Sequence, residues 1–330
     1  MKDKKNFYIN GEWVSPLEPR LFQVINPATE ESCAEISLGG KKDVDVAVSS
    51  AKTAFETWSF TTKNQRLALF EKLYEIYKKN WDQMAKTISL EMGAPIDFST
   101  ELQTKTGASH IKSFKNILKK FEFERTLDEE KNQTILYEPK GVCALITPWN
   151  WPINQVNLKV IPALAAGCTV VLKPSEIAPL SSMLLAEMMH EAGFPKGVFN
   201  LVNGDGAITG EALTSHPDVD MISFTGSTRA GALISQNAAK DFKRISLELG
   251  GKGANIVFKD AGSDAISWSV QRCFRNSGQS CNAPTRMLVE KSIYDETVEK
   301  VKEFAKKTKV DSPDKNGNHI GPVISETQFN

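Results

Sequence analysis

The chain has 330 residues, 41% of them apolar and 24% charged, which is enough for two domains with sizeable cores. Lysine plus arginine equals aspartate plus glutamate at 40 each, so no global basic excess recruits nucleic acid or an anionic membrane surface. The polar start Met1-Lys2-Asp3-Lys4-Lys5-Asn6 leads into no secretory signal, and the longest apolar run, Val160 to Leu172, contains Pro162 and Gly167 and is too short to span a bilayer. A cytoplasmic protein with no membrane partner is expected.

From about residue 43 to 120 the pattern is helical, with Leu67, Phe70, Leu73, Tyr74 and Tyr77 recurring at spacings of three and four as a core-facing stripe. Phe121 to Tyr137 reads as two short strands joined by a charged turn at Asp128-Glu129-Glu130-Lys131, a hairpin that projects and could pair with another subunit. A regular alternation follows. Strands are predicted at Gly141–Thr147, Cys168–Leu172, Val198–Val202, Asp220–Phe224 and Arg244–Leu247. Helices are predicted at Gln155–Ala166, Leu180–Ala192, Asp205–Leu213 and Ser227–Ala239. Short, continuously apolar strands separated by helices imply an α/β fold with a doubly wound, five-stranded parallel sheet of Rossmann type. After it, two further strand-helix units, Ala254–Phe258 with Asp264–Arg275 and Met287–Glu290 with Tyr294–Lys307, form a partial second α/β domain. The expected division is a dinucleotide-binding domain over 1–121 and 141–249, the hairpin over 122–140 and a partial catalytic domain over 250–330.

The five cysteines, Cys33, Cys143, Cys168, Cys273 and Cys281, include no C-x-x-C pair, and the four histidines show no ligand spacing, so neither a disulfide framework nor a metal site is indicated. Cys143 and Cys168 lie in apolar strands and read as buried and inert. Cys281, in Gly278-Gln279-Ser280-Cys281, is different only in its company. Upstream stands Leu247-Glu248-Leu249-Gly250-Gly251-Lys252, which offers a carboxylate base where glycines let backbone approach a ligand. By itself a free cysteine is usually a small buried hydrophobe.

In a doubly wound sheet, the ligand-facing loops follow the carboxyl ends of the strands. Here those loops carry Pro148-Trp149-Asn150-Trp151-Pro152, Lys173-Pro174-Ser175-Glu176, Asn203-Gly204-Asp205-Gly206, Thr225-Gly226-Ser227-Thr228 and Glu248-Leu249-Gly250-Gly251. Lys173, Ser175 and Glu176 fall where a nucleotide ribose would lie, and an acidic residue there favours an unphosphorylated 2′-hydroxyl, hence NAD over NADP. The competing reading is a solvated loop before a helix. Gly226-Ser227 opens a helix whose free amides suit a pyrophosphate. Neither Gly226 to Gly231 nor Gly204 to Gly210 has the usual G-x-G-x-x-G spacing. The Asn150 amide could donate to a carbonyl oxygen that becomes an oxyanion, the alternative being an ordinary turn asparagine.

Taken in order, Pro148-Trp149-Asn150, Lys173-Pro174-Ser175-Glu176, Phe224-Thr225-Gly226-Ser227, Glu248-Leu249-Gly250-Gly251-Lys252 and Gly278-Gln279-x-Cys281 resemble the NAD(P)-dependent aldehyde dehydrogenase superfamily, non-acylating branch. The resemblance runs from Ile9-Asn10-Gly11-Glu12-Trp13 to Gly321-Pro322-Val323-Ile324-Ser325. It implies Cys281 as nucleophile, Glu248 as general base, and Asn150 with the Cys281 amide as oxyanion hole. It further implies Lys173 and Glu176 on the adenine ribose, with Ser175 beside them, and Gly226 and Ser227 at the pyrophosphate. Ile146, Thr147 and Trp149 would line the path to the reacting centre, with Leu249 and Gly250 also against the cofactor. The substrate would be a small aldehyde, oxidised through a thiohemiacetal and thioester. A base of this kind is expected to be partly desolvated.

The resemblance also implies a longer chain, with a Glu-x-Phe-Gly motif against the nicotinamide ribose and a late strand that joins a neighbour's hairpin in a homo-oligomer. Neither segment occurs here, so a carboxy-terminally truncated, weakly active or inactive chain is expected. Two other readings stay open: a cysteine-dependent ester or thioester hydrolase that needs no NAD, and a non-catalytic remnant. The aldehyde itself is not specified; Trp151, Gln155, Ser280 and Asn282 suggest only a mixed polar and aromatic wall.

Overall fold

The computed structural model describes residues 4–127, 132–262 and 264–330. In chain order its elements are strands β1 (Phe7–Ile9), β2 (Glu12–Val14), β3 (Arg20–Asn26) and β4 (Glu31–Leu38), then helices α1 (Lys41–Trp58), α2 (Lys63–Lys79) and α3 (Trp81–Met92). A short α4 (Ile96–Phe98) passes through a π-helical turn, Ser99–Gln103, into α5 (Thr104–Lys120). Next come β5 (Glu124–Thr126), β6 (Thr134–Leu136), β7 (Val142–Ile146), α6 (Pro152–Ala166), β8 (Thr169–Lys173), α7 (Leu180–Ala192), β9 (Phe199–Leu201), α8 (Glu211–Ser215), β10 (Met221–Gly226), α9 (Thr228–Ala239) and β11 (Arg244–Leu249). The chain ends with β12 (Ala254–Val257), α10 (Ala265–Phe274), β13 (Arg286–Val289), α11 (Tyr294–Lys307) and α12 (Glu326–Phe329).

The main sheet has the order β11-β10-β7-β8-β9-β1-β2. Its first five strands are the expected parallel set. The sheet is extended by the antiparallel pair β1 and β2, which the sequence reading leaves unassigned. That hairpin has a plain local cause. Asn10 and Gly11 have φ of 54° and 77°, the two positive values that a tight primed turn requires.

Alternation along β7 sends side chains to opposite faces and so feeds two cores. Cys143 and Leu145 join Phe70, Val156, Val160 and Leu184 from α2, α6 and α7. Val142, Ala144 and Ile146 join Val44, Val48 and Ile234 from α1 and α9. Both faces are covered, which is why β7 and β8 read as unbroken apolar runs. Among the described residues, no helix is long and apolar enough to cross a membrane.

Several boundaries differ from expectation. Glu248 and Leu249 belong to β11, in register with Thr225 and Gly226 of β10, and do not lie in a loop beyond it. Gly226 closes β10, so the helix starts only after it, capped by Ser227. The expected helix from Asp205 is a π-helical turn, Gly206–Gly210, running into α8; the Asp205 carboxylate accepts from the Ile208 amide at 2.7 Å and opens the turn. The strands of the predicted projecting hairpin pair as β5 and β6, while its charged turn, Asp128 to Lys131, lies outside the described residues. In the last portion β12 and β13 pair, among the described residues, only with each other, and Ile256, Phe258 and Leu288 are exposed.

One buried charge ties the helical layer together. Glu91 on α3 is fully buried, and its carboxylate accepts from the Leu180 and Ser181 amides at the start of α7. Burial outweighs these hydrogen bonds and raises its pKa to about 7. The folded state therefore holds the proton more tightly than the unfolded chain, so stability should fall as pH rises from about 4.5 to about 7 and level off above. Over that window the loss amounts to about 3 kcal/mol. Chemical denaturation across that range should show this slope in the natural chain and not in Glu91→Gln, which keeps an amide oxygen as acceptor. An unchanged slope in the variant would remove Glu91 as its source.

Candidate active site

The parallel strands reverse their order of addition between β7 and β10, and a crevice outside that switch point is where doubly wound sheets take ligands. Thr147, Trp149 and Asn150 leave the end of β7 on one side of it; Gly226 and Ser227 leave β10 on the other. The loop bearing Cys281 reaches the same crevice from the second α/β unit.

That loop is shaped by unusual backbone. After α10, Asn276, Ser277 and Gly278 follow one another with φ of 57°, 57° and 76°. Glycine adopts this left-handed region freely, whereas for serine it costs about 1 kcal/mol. Side chains hold the strained residues in place. Asn276 is buried; its Nδ2 donates to the Asn150 carbonyl at 2.8 Å and to the Gln279 carbonyl at 3.2 Å, and its Oδ1 accepts from Gln103 Nε2 at 3.1 Å. Ser277 Oγ donates to the Gly321 carbonyl at 2.8 Å, and Gln279 Oε1 accepts from the Ile324 amide at 2.9 Å. Three distant parts of the chain, at Gln103, at Asn150 and at Gly321 to Ile324, thus fix the turn that carries the cysteine.

Asn150 and Cys281 are brought together by this network. Asn150 Nδ2 donates to the Gln279 carbonyl at 2.9 Å, which fixes the amide orientation, because the flipped form would set oxygen against oxygen. Its second amide hydrogen has no acceptor among the described residues, and Oδ1 is buried with no partner there. Trp151 Nε1 donates to Ser280 Oγ at 2.8 Å, one residue before the nucleophile candidate. The Cys281 amide has no acceptor among the described residues. Cys281 is exposed, whereas Cys143 and Cys168 are buried and Cys33 and Cys273 half-buried.

Glu248 is placed differently from expectation. It is exposed at the carboxyl end of edge strand β11, and no direct contact joins it to Cys281 among the described residues. The desolvation expected of a base is therefore not supplied by its surroundings here. Its charge does reach one partner the sequence reading passes over. Lys159, buried on α6, donates to Ser223 Oγ of β10 at 2.8 Å. Burial lowers the Lys159 pKa to about 8, and Glu248 partly offsets that shift.

On the ribose side Lys173 is buried, and its ammonium donates to the Pro174 and Gly204 carbonyls with Glu176 Oε2 at 3.5 Å. Burial lowers its pKa against the pull of Glu176 and Asp205. Lys173 is thus a strut between the loops after β8 and β9, while Glu176 stands half-exposed at the rim and Ser175 is buried. Ser227 Oγ accepts from the Ala230 amide at 3.2 Å, leaving its hydrogen free to donate outward beside the first-turn amides of α9. A Cβ at Gly226 would stand 2.5 Å from the Phe224 ring of its own strand, and one at Gly231 2.8 Å from Leu249, so Gly231 lets α9 approach β11 closely. Ile146 and Thr147 are buried, and Thr147 Oγ1 has no partner among the described residues. Trp149 is half-buried against the first core, Leu249 packs against the second, and Gly250 is exposed with open space beside it.

Comparison with known proteins agrees with this architecture. A family model described as "Aldehyde dehydrogenase family" matches residues 13–330. A 3-succinoylsemialdehyde-pyridine dehydrogenase of a Pseudomonas species is 50% identical over all of this chain and 69% of its own length. The crystal structure of an aldehyde dehydrogenase from Bartonella henselae superposes with a TM-score of 0.98 at 58% identity, covering 100% of this chain and 69% of the other. A mutant of aldehyde dehydrogenase C from Pseudomonas syringae, solved with NAD+ and octanal, gives 0.96 at 45% identity, over 99% and 67%. With its fold, its cysteine turn and these matches in accord, the chain belongs to the aldehyde dehydrogenase family.

Proposed function

We propose that this chain carries out NAD-dependent oxidation of an aldehyde to a carboxylic acid, with Cys281 as nucleophile, Asn150 and the Cys281 amide as oxyanion donors and Glu248 as the base for hydrolysis. The observation that carries the reading is the Asn150 to Gln279 hydrogen bond, which leaves an amide hydrogen spare beside the only exposed cysteine among the described residues. The Cys281 thiolate attacks the aldehyde carbon, and the carbonyl oxygen, now an anion, takes hydrogen bonds from Asn150 Nδ2 and the Cys281 amide. Bound NAD would accept the hydride that leaves the former aldehyde carbon, so that Cys281 is left as a thioester. Glu248 then takes a proton from water, the water oxygen attacks the thioester carbon, and the thiolate leaves.

The donor set fits the cofactor. Ser227 and the first-turn amides of α9 would hold the pyrophosphate, and Glu176 the adenine ribose, with Lys173 contributing the one ammonium hydrogen its two carbonyl bonds leave over. Ser175, Ile146, Thr147 and Trp149 would line the same crevice, with Gly226, Leu249 and Gly250 on its other wall. That assigns residues 1–121 and 141–249 to dinucleotide binding, 250–330 to the catalytic unit, and the 122–140 hairpin to pairing with a second copy. Deleting the hairpin should shift any oligomer to monomer in light scattering; unchanged mass would remove that role. Because Cys281 and Glu248 are both exposed, slow turnover is expected of these 330 residues.

The test is to supply NAD and a short alkanal and to follow NADH and carboxylic acid together. Equal yields of both support the reading, whereas ester cleavage without NADH would make the protein a cysteine hydrolase. Asn150→Ala should lower NADH formation by about 100-fold, the usual cost of losing one oxyanion donor. A loss confined to KM would move Asn150 from the oxyanion to ground-state binding.

A further inference from the structure

Gln103 closes the π-helical turn Ser99–Gln103 and is fully buried, an unusual place for a long polar side chain. Toward the described residues its amide acts as a donor alone. Nε2 donates to Asn276 Oδ1 at 3.1 Å and to the Asn150 carbonyl at 3.3 Å, with Met92 Sδ at 3.6 Å as a weaker third acceptor. Oε1 is buried with no partner among the described residues. The opposite orientation of the amide would set Oε1 against two oxygens.

These contacts close a ring. Asn276, held at Oδ1 by Gln103, donates from Nδ2 to the Asn150 carbonyl at 2.8 Å and the Gln279 carbonyl at 3.2 Å, while Asn150 Nδ2 donates to the same Gln279 carbonyl at 2.9 Å. One side chain therefore fixes the backbone of Asn150 and, through Asn276, the turn that leads to Cys281. Gln103 is itself held from packed helices. A π turn takes carbonyls out of the α-helical ladder, and such turns recur at functional sites. Here Trp81 Nε1 of α3 donates to the Thr100 carbonyl at 3.1 Å and the Tyr77 hydroxyl of α2 to the Thr104 carbonyl at 3.0 Å. Thr106 Oγ1 donates to the Gln103 carbonyl at 2.8 Å.

We propose that Gln103 is a positioning residue for the reaction, holding the Asn150 side chain and the Cys281 amide in register where the oxyanion forms. The proposal rests on the reading of Asn150 and Cys281 given above, and Gln103 acts through them, not on the substrate. Oxyanion donors must meet the charged oxygen at about 2.7–3.1 Å, and they stabilise the transition state more than the bound aldehyde. Losing Gln103 as a donor should therefore slow formation of the tetrahedral adduct and leave binding alone.

Two reagents for Cys281 test this on the full chain. With p-nitrophenyl acetate the thiolate attacks the ester carbon, an oxyanion forms, and nitrophenolate leaves as the thioester is made. Iodoacetamide alkylates the same sulfur by displacement of iodide, with no oxyanion. Gln103→Met keeps the length without the donor, and should slow acylation about 10- to 100-fold while leaving alkylation within about two-fold. Equal effects on both reagents, or none, would overturn the proposal. With NAD and aldehyde the same variant should lose kcat at a nearly constant KM; a loss in KM alone would also overturn it. Should Gln103→Met unfold, Gln103→Glu decides. Its carboxyl donates only when protonated, and none of the groups that Gln103 bonds to titrates. The ratio of acylation to alkylation, relative to the natural chain, should then rise as pH falls from about 8 to about 6. A ratio flat across that range refutes the role. Asn150→Ala separates the two ways of failing. If it leaves acylation unchanged, the oxyanion reading falls and this proposal with it; if it slows acylation and Gln103→Met does not, only the role of Gln103 falls.

Discussion

Replacing Cys281 by alanine is expected to reduce NADH formation to the reagent blank and, in the same preparation, to remove the fastest-reacting thiol. Both halves follow from placement. Chemically, no other group at the crevice can form the thioester, and losing a covalent nucleophile ordinarily costs at least about 10⁴-fold in kcat. Physically, Cys281 is the exposed cysteine, while Cys143 and Cys168 are sealed between β7, β8 and their covering helices. Burial raises the Cys33 and Cys273 thiols, which slows them further. A thiol reagent added to the native chain should therefore modify one cysteine rapidly and the others only on unfolding. Peptide mapping identifies the site. Rapid modification at Cys273 in place of Cys281, or full dehydrogenase activity in Cys281→Ala, would overturn the assignment of the nucleophile. Because the side chain is exposed and in no core cluster, the substitution should leave stability within about 0.5 kcal/mol, so a loss of activity reports chemistry and not folding.

How far the sequence could be read follows from how local its signals are. The five parallel strands are legible because strands covered on both faces must be apolar throughout, and their loops punctuate them with proline and glycine. The β1–β2 hairpin is equally local, since Asn10-Gly11 is a strong turn dipeptide, and it is missed only because short strands of three residues carry little pattern around it. Glu248 is misplaced for the converse reason. In Leu247-Glu248-Leu249 a polar residue reads as the start of a loop, but on edge strand β11 one face meets solvent and the ladder with β10 continues beneath it. The support of the cysteine turn is of another kind. Gln103 and Asn276 meet across 173 residues of chain, through a π-helical turn that neither propensity nor periodicity announces. Asn276-Ser277-Gly278 does carry a turn signal, and a left-handed backbone could be suspected there. What holds it could not.

Glu248→Gln should separate the two halves of the reaction. The amide has the shape of the carboxylate and keeps its place on β11, so attack by Cys281 and the first release of NADH should proceed, but no base remains to draw a proton from water. Rapid mixing with NAD and excess aldehyde is then expected to give a burst of at most one NADH per chain, followed by a steady rate lowered about 10²- to 10⁴-fold. Acid quenching during the slow phase should trap the acyl group on Cys281, visible as a mass increase on its peptide. The exposure of Glu248 sharpens the test. A carboxylate in open solvent at the end of an edge strand competes with bulk water as a base, and only its position near the thioester would make it superior. If Glu248→Gln shows neither burst nor acyl-enzyme yet loses activity, Glu248 acts before the thioester, on the thiol itself. If it keeps full turnover, the base is another group, and Lys159 is the first to test: it lies buried beneath the same sheet end, feels the Glu248 charge, and has a pKa of about 8 that lets it exchange protons near neutrality. Lys159→Met in the Glu248→Gln background would decide it, since the residual hydrolysis should then disappear only if Lys159 supplies it.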